Sequence, residues 1–241
     1  MINFAQHTLI QPTLTQHGTA EEGWLDEGLS LYAEELTARR YLQAGDTATF
    51  SRLAINDVSD AYQYLSATGA SPLLIAFDQG TLAERGASWL FARYLVDQFG
   101  AAVAGKLDQS TLAGGANVAA QTGHRFDSTL TRWALTNWVS DLPGFATPVE
   151  LSYTSWHFRT RTFPSLHQQD PTDFPLPYPL VPTAEAGSAV SLTGTLRSGS
   201  GVYARALQAP GAPAFTLLFN AGGTAALRAP VVPRLSVIRI R

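Results

Sequence analysis

The residues whose types and spacing could do chemistry lie in Gly23-Trp24-Leu25-Asp26-Glu27-Gly28-Leu29-Ser30-Leu31-Tyr32-Ala33-Glu34-Glu35-Leu36. Leu25, Leu29, Tyr32, Ala33 and Leu36 recur at three- and four-residue spacing, the period of a helix with one buried stripe. Glu27 and Glu34 are seven residues apart, so a helix puts them two turns apart on a common face. A carboxylate in an apolar interior has to be ion-paired, hydrogen-bonded or metal-bound, or else become neutral, because an isolated buried charge is strongly unfavourable. The spacing leaves two readings open: an acidic face turned to water, or carboxylates that hold a cation.

The rest of the chain limits which cation and which reaction. There is no cysteine, which excludes disulfides, thiolate zinc sites and a cysteine nucleophile, so a transition metal would need His, Asp or Glu. The five histidines, His7, His17, His124, His157 and His167, include no pair four residues apart, and H-E-x-x-H occurs nowhere. His7, His17 and Glu27 form a possible His, His, Glu ligand set, although their ten-residue spacings match no helical ligand pair. An exposed or capping role is the other reading for both histidines. Ser30 has no partnering pattern and no G-x-S-x-G segment occurs. Gly114-Gly115 and Gly222-Gly223 lack the lysine and spacing of a phosphate loop and read as turns. Trp24, Trp89, Trp133 and Trp138 read as core, whereas Trp156, His157 and Phe158 fit either a groove lining or packing between domains.

Trp24-Leu25-Asp26-Glu27-Gly28-Leu29-Ser30, followed by Tyr32-Ala33-Glu34, resembles the second zinc-ligand helix of the gluzincin metallopeptidases, particularly the bacterial hyicolysin-like ones. In that group a first helix carries H-E-x-x-H, and a glutamate on a later helix, inside a W-L-[ND]-E-G-like sequence, completes the site. Met1-Ile2-Asn3-Phe4-Ala5-Gln6-His7 resembles the residues that directly follow the second histidine of that motif, so the expectation is a chain that begins just after it. The likeness extends more weakly through Gly86-Ala87-Ser88-Trp89-Leu90-Phe91-Ala92-Arg93-Tyr94-Leu95 and Gly123-His124-Arg125-Phe126-Asp127 to Trp133-Ala134-Leu135, and covers roughly residues 1 to 142.

The resemblance implies Glu27 as third zinc ligand, zinc-activated water attacking a peptide carbonyl in the parent enzyme, a peptide or protein substrate, and an extracellular or cell-surface location. Glu34 is implied as an acid behind the ligand, or as a solvated residue. Tyr94 or His124 would donate to the developing oxyanion; their plainer readings are core and surface loop. Asp26 stands where relatives often carry asparagine, which adds charge. Two histidine ligands and the glutamate base belong to the motif that these residues lack. The expectation is therefore the remnant of a zinc metalloendopeptidase, inactive as it stands, with apolar surface exposed near residues 1 to 36. The alternative is a non-catalytic module that binds protein, glycan or a surface on a degenerate peptidase scaffold.

The elements that must position these residues follow from pattern and composition. A chain of 241 residues, 45% hydrophobic and 10% aromatic, can bury a sizeable core in one large or two modest domains. A net charge of -3 and a pI near 5.9 give no electrostatic footprint for nucleic acid or an anionic membrane surface. No apolar run of 18 residues or more occurs, so neither a membrane span nor a signal peptide is read. Helices are expected over residues 2 to 10 up to Pro12, over the glutamate segment as far as Tyr41 with a stop at Gly45-Asp46, and over Asn56 to Leu65 after a short helical or irregular piece. Leu82 to Phe99 reads as the core helix; Val103 to Leu112, Val118 to Thr122 and Leu130 to Val139 follow, the last capped by Asp127 or Ser128.

Ser71 to Phe77 is too short to classify, and a loop or extended piece fits Pro72. Pro164, Pro171, Pro175, Pro177, Pro179 and Pro182 oppose helix and make residues 146–185 a linker or a draped crossover. Ala189 to Leu196, Val202 to Leu207, Ala214 to Asn220, Ala225 to Arg228 and Leu235 to Ile240 are strand candidates. The expected fold is α+β and multidomain: a mostly α-helical, metallopeptidase-like domain over residues 1–145, then a small antiparallel β-sandwich over 186–241.

Overall fold

The computed structural model of the chain describes residues 20–75, 80–186, 196–207, 211 and 234–240. Its helices are α1 (Gly23–Gln43), α2 (Thr47–Ser66), α3 (Leu82–Phe99), α4 (Ala102–Asp108), α5 (Gly114–Thr122), α6 (Phe126–Val139) and α7 (Phe163–Gln169), with a 3-10 turn at Val149–Leu151 and a π turn at Phe158–Thr162. The described residues are mostly helical, and none of their helices is long and apolar enough to cross a membrane. The expected helix over residues 2 to 10 lies outside the described residues.

Three helices make the body. α3 buries Trp89, Leu90, Phe91 and Leu95 completely, so apolar residues around most of its circumference have partners, as its sequence predicts. Its start is a capping box: the Thr81 hydroxyl accepts from Glu84 N, and the Glu84 carboxylate accepts from Thr81 N. Two glycines bring its neighbours close. A Cβ on Gly28 of α1 would lie 2.5 Å from the Ser88 carbonyl oxygen of α3, and one on Gly86 of α3 would lie 2.1 Å from the Asp60 carbonyl oxygen of α2.

This close approach sets the rotation of α1. Trp24, Leu25, Leu29, Tyr32 and Ala38 are buried, but Ala33 is only half-buried and Leu36 is 45% exposed, unlike the expected stripe. With Gly28 pressed on α3, the position that faces inward two turns further on is Glu35. α2 is one continuous helix rather than two pieces; no residue between Thr47 and Ser66 breaks it, and the Asp46 carboxylate caps it by accepting from Thr49 N at 2.9 Å.

The shorter helices shift from their expected bounds for local reasons. α4 ends at Asp108 because Ser110 Oγ takes the Leu112 amide at 3.0 Å and turns the chain. α5 starts earlier, at Gly114, whose amide donates to the Glu21 carboxylate ahead of α1. α6 also starts earlier, leaving Asp127 in its first turn, where negative charge is favourable, rather than at the cap.

Between the two readings of the proline-rich stretch, residues 149–180 drape. Tyr153, Trp156, Phe158, Phe163, Phe174 and Leu180 are buried in the same core as α1–α3 and α6. Trp156 stacks on Phe158 with centroids 5.5 Å apart, and Tyr153 Oη accepts from Trp133 Nε1 at 3.0 Å while donating to Asn137 Oδ1 at 2.6 Å. The prolines prevent one long helix without preventing burial of the aromatics between them.

β1 (Thr183–Ala186) and β2 (Ala204–Leu207) pair in register, Thr183 with Ala204 through Ala186 with Leu207, and the pairing is parallel where an antiparallel sheet was expected. The connection between them is far longer than a hairpin turn, so nothing local imposes antiparallel pairing. The candidates Ala214 to Asn220 and Ala225 to Arg228, and all of Ala189 to Leu196 but its last residue, lie outside the described residues. At Leu235 to Ile240, Ile238 and Ile240 are half-buried and Arg239 exposed, but no strand forms there: alternation supplies a face and not a partner.

Candidate functional site: a buried acidic seam

α1, α2 and α3 each contribute a charged side chain to one seam. Glu27 of α1 is buried, and the Arg85 Nε of α3 lies 2.6 Å from its Oε1. The Arg85 N–H is not aligned for a hydrogen bond, so the contact is an ion pair. Asp57 and Asp60, one turn apart on α2, complete the group. Asp57 is 1% exposed and neither of its carboxylate oxygens has a hydrogen-bond partner among the described residues. Burial pushes its pKa up to about 8, the charges of Glu34, Glu35 and Asp60 push the same way, and Arg85 opposes them. Asp60 is raised to about 6, again chiefly by burial, with Arg85 opposing and Glu27 adding to it. Acidic charge exceeds cationic charge in this seam. Proton uptake by Asp57 relieves the excess near neutral pH.

Among the described residues no group of three or more His, Asp or Glu stands where it could hold a metal ion. Of the zinc set that the resemblance implies, the described residues hold Glu27 and no histidine beside it. The described residues therefore do not fit a zinc site by themselves. His7 and His17 lie outside the described residues.

The other expected site residues fall apart from the seam or at its margin. Glu34 is exposed on α1, the solvated one of its two readings, and reaches Asp57 only through its charge. Tyr94 is buried in the core, its hydroxyl donates to the Glu150 carbonyl at 3.1 Å, and burial pushes its pKa up to about 12; it is a core residue and not a free donor. His124 is exposed between α5 and α6, with its ring against Phe99. Ser30 is buried and its hydroxyl has no hydrogen-bond partner among the described residues.

One elaborately held carboxylate is a residue that periodicity does not single out. Glu35 is fully buried. Its Oε1 accepts from Arg39 Nε at 2.6 Å, Trp156 Nε1 at 2.7 Å and Arg93 at 3.2 Å, and its Oε2 accepts from Trp89 Nε1 at 3.2 Å. Arg93 also binds Asp97 at 3.0 Å, and Asp97 accepts from the amides of Thr154 and Ser155. This network ties α1 and α3 to the crossover. The readable signals were the four-residue spacings Glu35 to Arg39 and Arg93 to Asp97.

Comparisons with family models, with curated proteins and with solved structures gave no match to this chain.

Proposed function

We propose that the helical body is the glutamate-bearing part of a gluzincin-like zinc metallopeptidase domain, with Glu27 the one zinc ligand this chain supplies, and that the chain itself hydrolyses no peptide. The supporting observation is the seam: Glu27 is buried on α1 within a group of carboxylates richer in negative than in positive charge. One carboxylate can neither hold zinc tightly nor supply the base, and no H-E-x-x-H lies within the 241 residues. Casein hydrolysis by the purified chain, measured with and without chelator, should be indistinguishable from buffer; a chelator-sensitive rate would overturn the proposal of inactivity. In-frame translation of the source DNA upstream of Met1 tests the family reading, which requires H-E-x-x-H there.

A second reading has its own observation. Arg85 already occupies the Glu27 carboxylate at 2.6 Å, the arrangement of a structural ion pair, so the scaffold would serve a non-catalytic binding module. A stop codon upstream with no such motif would favour it.

A further inference from the structure

We propose that the cavity between the end of α1 and the π turn binds a monocarboxylate with an aromatic body, the chemistry of the C-terminal residue of a peptide or of a small aromatic acid. The cavity holds about 300 Å³ and is lined by Leu42, Phe50 and Trp156 on its apolar side and by Arg39, His157 and Arg161 on its polar side. This is the mixture of an apolar wall and a few convergent polar groups that small ligands use.

The wall is rigid. Phe50 and Trp156 stack with centroids 6.0 Å apart and planes 25° from parallel, and Phe158 backs Trp156. Arg39 is fixed: it donates to Glu35 at 2.6 Å and to the Ser155 carbonyl at 3.1 Å, and its guanidinium lies 5.2 Å from the Trp156 ring centroid. Those hydrogen bonds engage two of its five N–H groups, and Arg39 lines the cavity with three to spare.

The charge balance selects a single negative charge. Glu35 and Asp97 together compensate Arg39 and Arg93. His157 Nδ1 meets Asp141 at 2.9 Å, which leaves its Nε2 edge open. Arg161 is exposed, and its guanidinium has no hydrogen bond or ion pair among the described residues. One uncompensated guanidinium beside an aromatic wall suits a carboxylate on an aromatic body better than a phosphate dianion. Arg39 lies twelve residues beyond Glu27 on the same helix, about 18 Å along its axis. The site is thus separate from the acidic seam and stands whether or not the peptidase reading does.

The test titrates the full chain with N-acetyl-L-phenylalanine, its C-terminal amide, N-acetylglycine and inorganic phosphate, following the Trp156 indole resonance by NMR. The acid should bind saturably, and the amide about tenfold more weakly or worse, the loss expected for a charge-assisted contact. Arg161→Ala, at an exposed position, should weaken the acid by a similar factor, and Arg161→Lys by less. A peptide ending in phenylalanine with a free carboxylate distinguishes the sources: binding at least as tight as the acid assigns a peptide, weaker binding assigns the small acid, and both support the site. An amide as tight as the acid, phosphate or N-acetylglycine tighter than it, an Arg161→Ala chain that binds normally, or no saturable shift at all would overturn the proposal.

Discussion

Glu34 and Glu35 are chain neighbours with opposite surroundings: Glu34 is exposed, while Glu35 is fully buried among two arginines and two indoles. Removing the buried charge leaves Arg39 and Arg93 with one carboxylate, Asp97, between them, so Glu35→Gln should destabilise the fold by about 3–5 kcal/mol in urea unfolding. Glu34→Gln should stay within about 0.5 kcal/mol of wild type. Equal effects would contradict the buried face assigned to α1. Asp57 makes a prediction about pH. Its folded pKa, about 8, lies above its ordinary value of 3.8, so folding favours the neutral form. That contribution is complete below the ordinary value and is lost as pH rises through about 8. The wild-type chain should lose on the order of 2 kcal/mol or more between pH 5 and pH 9 relative to Asp57→Asn, measured by urea unfolding at each pH. Parallel stability profiles for the two chains would refute the orphaned carboxylate.

At the scale of elements, the contact of α3 with its two neighbours rests on missing side chains. Alanine in place of glycine within an exposed helix normally gains about 0.5–1 kcal/mol, because it restricts the unfolded chain. Gly105 in α4 has open space around it, and Gly105→Ala should show that gain in thermal or urea unfolding. Gly86 has the Asp60 carbonyl oxygen 2.1 Å from where its Cβ would be, so Gly86→Ala should reverse the sign and cost about 1–3 kcal/mol as α2 is pushed away. The helices themselves were legible: α3 from its density of apolar residues, α1 from its spacing. Their ends were less so. The start of α5 depends on Glu21, 93 residues earlier in the chain, and no local pattern carries that information.

For the whole molecule the decisive element is the crossover. A linker over residues 146–185 would allow residues 1–145 to fold alone; a crossover that inserts Tyr153, Trp156, Phe158 and Phe163 into the core would not. Truncation after residue 145 should therefore abolish cooperative unfolding and near-ultraviolet circular dichroism and raise binding of an apolar dye. A truncated chain that unfolds cooperatively would restore the linker. The amino-acid sequence alone determined the helical body, the candidacy of Glu27, the lack of any thiolate or H-E-x-x-H chemistry within these residues, and the positions where prolines forbid long helices. These follow from composition, from local spacing and from backbone sterics, which act within a few residues. Tertiary structure decided that Glu35 rather than Glu34 is buried, that Arg85 sits on Glu27, that Asp57 has no hydrogen-bond partner among the described residues, and that the proline-rich stretch packs as core. Each of these depends on which helix faces lie against one another, and the glycine contacts that fix those faces join residues far apart in the chain.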